Sequence, residues 1–251
     1  MHNSLSKEIR KLIIDAAFNA KHGHIPSALS IVEIIVAVHI IKYNQDEFIL
    51  SKGHGCLALY SYLVTQNKLT KQELRNFGKK GSSLGGHPDR NKVKEIYAST
   101  GSLGHGLPIA VGAALARKIQ KIPGLIYCVV GDGESNEGTI WESFILAAKH
   151  NLNNLVCIVD NNKSQTRSLP TTNLVDKIKA FGWEVIETDG HCVDDLIKVL
   201  KYNKSNKPFA IVANTVKGKG ISDIENDMFA WHHRAPSKEE YTNFINEINE
   251  A

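Results

Sequence analysis

Between residues 125 and 162 the chain reads apolar, then amphipathic, then apolar again. Leu125-Ile126-Tyr127-Cys128-Val129-Val130 and Leu155-Val156-Cys157-Ile158-Val159 are short runs rich in β-branched residues and without alternation. That is the pattern of strands buried on both faces of a parallel sheet. From Thr139 to His150 apolar residues recur at helical spacing, with Trp141, Phe144, Ile145 and Ala148 on one face. Strand, helix and strand of these lengths make a βαβ unit, whose right-handed crossover leaves both strand ends on one edge of the sheet. Farther on, Trp183 to Glu187 and Phe209 to Asn214 read as strands, with Val193 to Tyr202 as the helix between them.

The first half of the chain reads as helices. Ser4 to Lys21 places Leu5, Ile9, Leu12, Ile13, Ala16 and Ala17 on a helical stripe. Ser30 with Glu33 reads as a capping box that opens a second helix. Gly55 to Gln66 predicts a third, and Thr70 with Glu73 the start of a short one. Leu103 to Gln120 is built from small residues, which suits a central or interfacial helix, and Ser237-Lys238-Glu239-Glu240 opens a final helix. Gly78 to Ser99 and Lys217 to Pro236 read as long loops, of the kind that usually serve as lids or binding loops. The expected fold is α/β, a doubly wound and mostly parallel sheet with helices on both faces, forming one domain over residues 1–251.

Composition narrows the function classes. A net charge of +4 with scattered lysines gives no basic stripe, so no nucleic-acid partner is expected. The apolar stretch Ile31 to Ile41 is too short for a membrane span and contains Glu33 and His39. The N-terminus, with Glu8, Arg10 and Lys11, lacks the apolar core of a signal peptide. Cys56, Cys128, Cys157 and Cys192 have no metal-binding spacing. Reduced thiols and a cytoplasmic location are the expectation.

The chemistry concentrates at the two strand ends. Gly131-Asp132-Gly133 closes one run and Asp160-Asn161-Asn162 the next. A carboxylate, an amide oxygen and a backbone carbonyl are hard oxygen donors, which suit Mg²⁺ or Ca²⁺ better than Zn²⁺. Mg²⁺ takes few protein ligands and completes its shell with phosphate oxygens and water. The glycines beside Asp132 let backbone N–H groups approach a phosphate closely. A metal–diphosphate ligand follows, held by Asp132 and by Asn162 or Asn161. A nicotinamide-binding alternative requires Gly-x-Gly-x-x-Gly, and Gly131, Gly133 and Gly138 miss that spacing.

Gly131-Asp132-Gly133 followed by Asn161-Asn162 resembles the thiamine-diphosphate signature. The rest of the chain is similar to the N-terminal, diphosphate-binding domain of the transketolase family. The segments that carry this resemblance are 23–30 (Gly-His-Ile-Pro-Ser-Ala-Leu-Ser), 50–55 (Leu-Ser-Lys-Gly-His-Gly), 86–89 (Gly-His-Pro-Asp), 100–106 (Thr-Gly-Ser-Leu-Gly-His-Gly), 217–222 (Lys-Gly-Lys-Gly-Ile-Ser) and 231–236 (Trp-His-His-Arg-Ala-Pro). The resemblance implies thiamine diphosphate with Mg²⁺ (or Ca²⁺ or Mn²⁺) as cofactors, and Asp132, Asn162 and the carbonyl of Ser164 as metal ligands. It implies cofactor contacts from His54, Gly101, Leu103, Gly131, Gly133, Glu137 and His232. His24, His87 and His232 are implied to line the substrate channel as catalytic residues.

The implied activity is transfer of a two-carbon ketol unit from a ketose, commonly a sugar phosphate, to an aldose. In the family, the glutamate that assists the cofactor's aminopyrimidine lies in a separate pyrimidine-binding domain. The resemblance therefore implies a partner chain, the C-terminal transketolase subunit, in a dimer of heterodimers. Pro26, His105 and His233-Arg234 stand where the family usually has Gly, Gln and Gly-Lys. All three departures fall near the expected channel, which puts the usual pentose-phosphate substrates in doubt. The rival readings are a deoxyxylulose-phosphate-synthase-like or 2-oxoacid-decarboxylating subunit, and a non-catalytic cofactor-binding module.

Overall fold

A computed structural model of the protein describes residues 2–202 and 205–250. Its strands are β1 (Glu47–Leu50), β2 (Ile126–Gly131), β3 (Leu155–Asn161), β4 (Glu184–Asp189) and β5 (Phe209–Asn214). All neighbours pair in parallel, in the order β1-β2-β3-β5-β4. The helices are α1 (His2–Ala20), α2 (Ile25–Leu29), α3 (Val32–Ile41), α4 (Cys56–Thr65), α5 (Lys71–Arg75), α6 (Gly106–Gln120), α7 (Gly138–Lys149), α8 (Leu174–Ala180), α9 (Val193–Lys201), α10 (Ser222–Asn226) and α11 (Lys238–Glu250).

Strand side chains alternate between two cores, which is why the central strands β2, β3 and β5 are apolar almost throughout. Phe48, Leu50, Tyr127, Val129, Val156, Ile158, Phe209 and Ile211 pack with residues of α1, α3, α4, α9 and α11. Ile49, Ile126, Cys128, Val130, Cys157, Val159 and Val212 pack with residues of α6, α7 and α8 on the other face. The doubly wound, parallel α/β fold expected from the sequence is therefore the one observed. Among the described residues no helix is long and apolar enough to cross a membrane.

Several details differ from the sequence reading, each for a local reason. β1 is only four residues long, too short for its period to register against its charged flanks. α2 is a five-residue helix with Pro26 in its first turn, where the missing N–H costs nothing. α8 buries only Leu174 and Ile178, so its stripe is faint, and α10 interrupts what reads as the loop 217–236. Ser30 does not cap α3: it is the C-cap of α2, and Ile31 occupies the N-cap position of α3 without a side-chain bond. Glu33 points instead to Arg10. The capping boxes at Thr70/Glu73 and Ser237/Glu240 are both formed. On α7 the buried face is Ile140, Ser143, Phe144 and Ala147, whereas Ile145 is 55% exposed. α6 likewise buries Leu107, Ala110, Val111 and Ala114 and leaves Ile109 exposed.

The N-terminus of α6 lies hard against the end of β1. A Cβ at Gly106 would stand 2.5 Å from the Ser51 Cα, a backbone atom that cannot swing away. This contact sets where the loop before α6 enters the carboxyl edge of the sheet. Gly106→Val is therefore expected to cost about 1–3 kcal/mol of stability through overpacking. Urea denaturation checks it, and an unchanged midpoint would show that α6 can shift freely.

Candidate active site

The carboxyl ends of β1, β2, β3 and β5 carry, in turn, Lys52, Asp132, Asn162 and Lys217. These four residues line one cleft of about 420 Å³, together with His24, His54, His87, His232, Gly101, Leu103, Gly131, Gly133 and Ser164. A crevice at the carboxyl edge is where ligands bind in open parallel sheets.

Beneath the cleft floor lies Asp160, fully buried near the end of β3. Its carboxylate pairs with the Lys52 ammonium, which is equally buried. It also accepts from Ser30 Oγ at 2.8 Å, from Thr215 Oγ1, and from Asn162 Nδ2 at 2.6 Å. Lys52 donates further to the Ser27 carbonyl at 3.1 Å. Burial alone would raise the Asp160 pKa, but the Lys52 charge and these hydrogen bonds hold it below the ordinary carboxylate range. The Asn162 amide is thereby oriented: its nitrogen faces Asp160, so its oxygen is the atom turned toward Ser164, whose N–H it accepts at 3.1 Å.

Asp132 stands across from it. The register aligns Gly131 with Asp160, and the Asp132 N–H donates to the Asp160 carbonyl at 3.1 Å. Asp132 Oδ1 accepts Ser164 Oγ at 2.7 Å and the Gly133 N–H at 2.8 Å. Its Oδ2 makes no hydrogen bond among the described residues. The structure thus brings Asp132, Asn162 and Ser164 together. It turns the Gly133 N–H onto Asp132, not outward to a ligand. Burial raises the Asp132 pKa, helped by the Asp160 charge and opposed by the Ser164 bond. Among the described residues no three His, Cys, Asp or Glu side chains cluster as a metal site. A cation at Asp132 and Asn162 would draw its remaining ligands from its own anion, which fits the donor chemistry of Mg²⁺ with a diphosphate.

Lys217 supplies the matching charge. It is 6% exposed and makes no ion pair among the described residues. Burial and the Lys52 charge lower its pKa to about 8, against the pull of Asp132 and Asp160. A buried, unpaired ammonium facing a cleft is costly without an anionic ligand.

Glu134 fastens the neighbouring loop. Its carboxylate accepts Ser51 Oγ at 2.5 Å, Gly104 N–H at 2.9 Å and Gly131 N–H at 3.1 Å. Gly101 and Leu103 are held there on the cleft wall. Gly101 has φ +147°, and a Cβ would meet the His87 ring at 2.9 Å, so glycine is required by both conformation and space. The loop bearing His87 is tied down by Tyr60 Oη to the His87 carbonyl at 2.9 Å and by Cys56 Sγ to the Gly86 carbonyl at 3.2 Å. Glu137 stands apart: it is exposed beside Gly104 and does not line the cleft.

The histidines form one rim. The His24 ring lies 5.5 Å from His54, 5.5 Å from His232 and 4.4 Å from His233. Burial first, and neighbouring positive charge second, lowers His24 to about 4 and His54 to about 2. Across the mouth the Arg167 guanidinium stacks over Phe229 at 4.1 Å, joining the loop after β3 to the loop before α11. Sequence reasoning missed Lys52, Lys217, Asp160, Glu134 and Arg167. Lys52, Asp160 and Lys217 stand inside motifs that the sequence singles out, but only the fold assigns them partners.

Comparison with known proteins accords with this geometry. The family described as "Transketolase, thiamine diphosphate binding domain" matches residues 1–248. An apulose-4-phosphate transketolase subunit of Phocaeicola vulgatus is 33% identical over 98% of this chain and 92% of its own length. The 6-deoxy-6-sulfo-D-fructose transketolase subunit SqwG of Clostridium sp. is 37% identical over 88% of this chain and 86% of its own. The crystal structure of transketolase from Campylobacter jejuni superposes with a TM-score of 0.90 at 28% identity, covering 99% of this chain but only 42% of that one. The chain belongs to the transketolase family and corresponds to its thiamine diphosphate-binding domain.

Proposed function

We propose that this chain is the N-terminal subunit of a two-component transketolase. It binds thiamine diphosphate and Mg²⁺ as one domain and moves a two-carbon ketol unit from an anionic ketose to an aldose. The observation that carries this reading is the Asp132–Asn162–Ser164 group on its buried Asp160 support, with the unpaired Lys217 ammonium in the same cleft. When bound, the cofactor would supply a nucleophilic carbon for the ketose C2 carbonyl and a sink for the electrons of its C2–C3 bond. The chain's own residues bind and orient. Asp132 Oδ2, Asn162 Oδ1 and the Ser164 carbonyl would hold the cation. Lys217 and His54 face the diphosphate, and Gly101 and Leu103 offer backbone and apolar contact beside it.

His24, His87 and His232 would meet the substrate. With lowered pKa values, His24 and His54 are neutral at physiological pH, so His24 would exchange hydrogen bonds with substrate hydroxyls and His54 would donate one to a phosphate oxygen, neither acting as a fixed positive charge. The named relatives act on a phosphorylated and a sulfonated ketose, which supports an anionic donor. Their designation as subunits supports a separate partner chain. Exposed apolar side chains on and before α6 and on α7, namely Leu103, Ile109, Ile145 and Leu146, support docking of further chains and a dimer of heterodimers. Four free cysteines are in keeping with the cytoplasm.

The decisive experiment combines this chain, the pyrimidine-domain subunit, Mg²⁺ and thiamine diphosphate with a ketose phosphate or sulfonate and an aldose. Ketol transfer that needs both chains is the expected result. CO₂ release from a 2-oxoacid in its place would assign a decarboxylating enzyme, and a stable but inert complex would favour a binding module. In the same assay Asp132→Asn should weaken Mg²⁺-dependent cofactor binding at least about tenfold; unchanged affinity removes the metal assignment.

The histidines give a pH test. An unfolded histidine takes up a proton near 6.5, whereas His54 in the fold resists it down to about 2. Its stabilising contribution is therefore complete above pH 6.5 and is lost as pH falls below that value. The loss is at most about 1.4 kcal/mol per pH unit. Thermal unfolding between pH 7 and pH 5 should fall less steeply in His54→Asn than in the wild type, and identical slopes would refute the assignment.

A further inference from the structure

Outside the cleft, three buried or half-buried ionisable side chains make a closed set that no part of the proposed chemistry uses. Glu33 on α3 receives Arg10 of α1 in a two-pronged pair, Nη1 to Oε1 at 2.7 Å and Nη2 to Oε2 at 2.9 Å. Its Oε2 also meets His191 Nδ1 at 3.0 Å. Arg10 is 8% exposed and Glu33 5%. Burial would raise the Glu33 pKa, but the His191 and Arg10 bonds reverse this and hold it at about 2. The carboxylate is a permanent anion with both oxygens engaged.

The far ends of both partners reach the same loop. His191 Nε2 accepts the Val216 N–H at 2.8 Å, which makes Nδ1 the protonated nitrogen and the donor to Glu33. Arg10 Nε donates to the Lys219 carbonyl at 2.9 Å. Lys217 lies between these two anchors. On the other side the Gly218 N–H donates to the Pro26 carbonyl at 3.1 Å, and Thr215 Oγ1 is bound to Asp160. One carboxylate thus fixes the backbone on either side of the residue whose ammonium enters the cleft.

We propose that Arg10, Glu33 and His191 are a positioning unit that holds the loop Val216–Lys219 from behind and so sets where the Lys217 ammonium stands. They are positioning residues, since none of them lines the cleft. The inference rests on the proposed cofactor only for what Lys217 binds, not for where it stands.

Two measurements test it on the chain of residues 1–251. The first is the rate at which an amine-acylating reagent modifies Lys217, followed by peptide mass spectrometry, in the wild type, Glu33→Gln and His191→Gln. Lys52 is the internal control, because it lies in the same cleft but is held by Asp160 and not by this loop. The Lys217 rate should change about threefold or more in both variants while Lys52 keeps its protection. An unchanged Lys217 rate, or equal changes at Lys217 and Lys52, would overturn the proposal in favour of a general packing role. If Glu33→Gln does not fold, His191→Gln at the half-buried end of the set decides alone. The second is affinity for thiamine diphosphate with Mg²⁺, measured in both variants with Lys217 present and with Lys217→Ala. Loss of affinity only where Lys217 is present supports the proposal, and equal loss in both backgrounds contradicts it. Absence of cofactor binding by the wild type in the presence of the pyrimidine-domain subunit would sink the cofactor reading and leave the labelling result to decide the positioning role.

Discussion

The pairing of Lys52 with Asp160 is the constraint on which the cleft depends. Removing two charges from water costs several kcal/mol per ion, and mutual attraction offsets this only where the remaining lone pairs and protons are also satisfied. Here they are: Asp160 also takes bonds from Ser30, Thr215 and Asn162, and Lys52 gives one to Ser27. Those partners lie at the end of α2, after β5 and after β3, while Lys52 follows β1. One ion pair thus ties together most of the loops that face the ligand. Removing a single partner from such a pair typically costs about 3–5 kcal/mol, because the other charge is left stranded.

That arrangement would let Asn162 serve as a defined ligand in the proposed site. A free amide can present either its oxygen or its nitrogen to a cation, and only the oxygen is useful. Asp160 accepts from the Asn162 nitrogen and so excludes the wrong orientation. Asp132 is restrained by Ser164 Oγ and by its own neighbour's N–H, which leaves Oδ2 as its available atom. The cleft is preorganised at its floor by buried polar bonds, and only its upper rim of histidines and the Arg167–Phe229 contact belongs to more exposed segments.

How much was legible follows from the range over which each signal acts. The βαβ unit around Gly131-Asp132-Gly133 and Asn161-Asn162 was legible because its strands are continuous apolar runs and its ligands sit at their ends. The loop histidines at 24, 54, 87 and 232 were legible through their glycine and proline surroundings, and the fold gathers all four on one cleft. Asp160 was visible but mute, since its partner Lys52 is 108 positions away and no spacing rule links them. Glu33 reads as a capping residue in sequence because Ser30 stands three positions before it. A capping pattern is a local signal, and the competing bond to Arg10 arises only when α1 and α3 pack. Ile145 reads as part of a buried stripe because apolarity alone does not say which side of a helix meets the sheet and which is left exposed.

The same contrast of range bears on what the chain is for. Asp132, Asn162 and Ser164, which are proposed to hold a cation and a diphosphate, come together within this fold on the buried Asp160 support. On the cleft wall Leu103 is apolar yet 37% exposed, and Glu137 looks outward beside Gly104. Ile109 of α6 and Ile145 and Leu146 of α7 also leave apolar surface uncovered, of the kind that marks interaction surfaces. The buried polar bonds that organise this floor come from within this chain. Under the two-component reading proposed above, a partner subunit would supply the surface that covers the other end of the site.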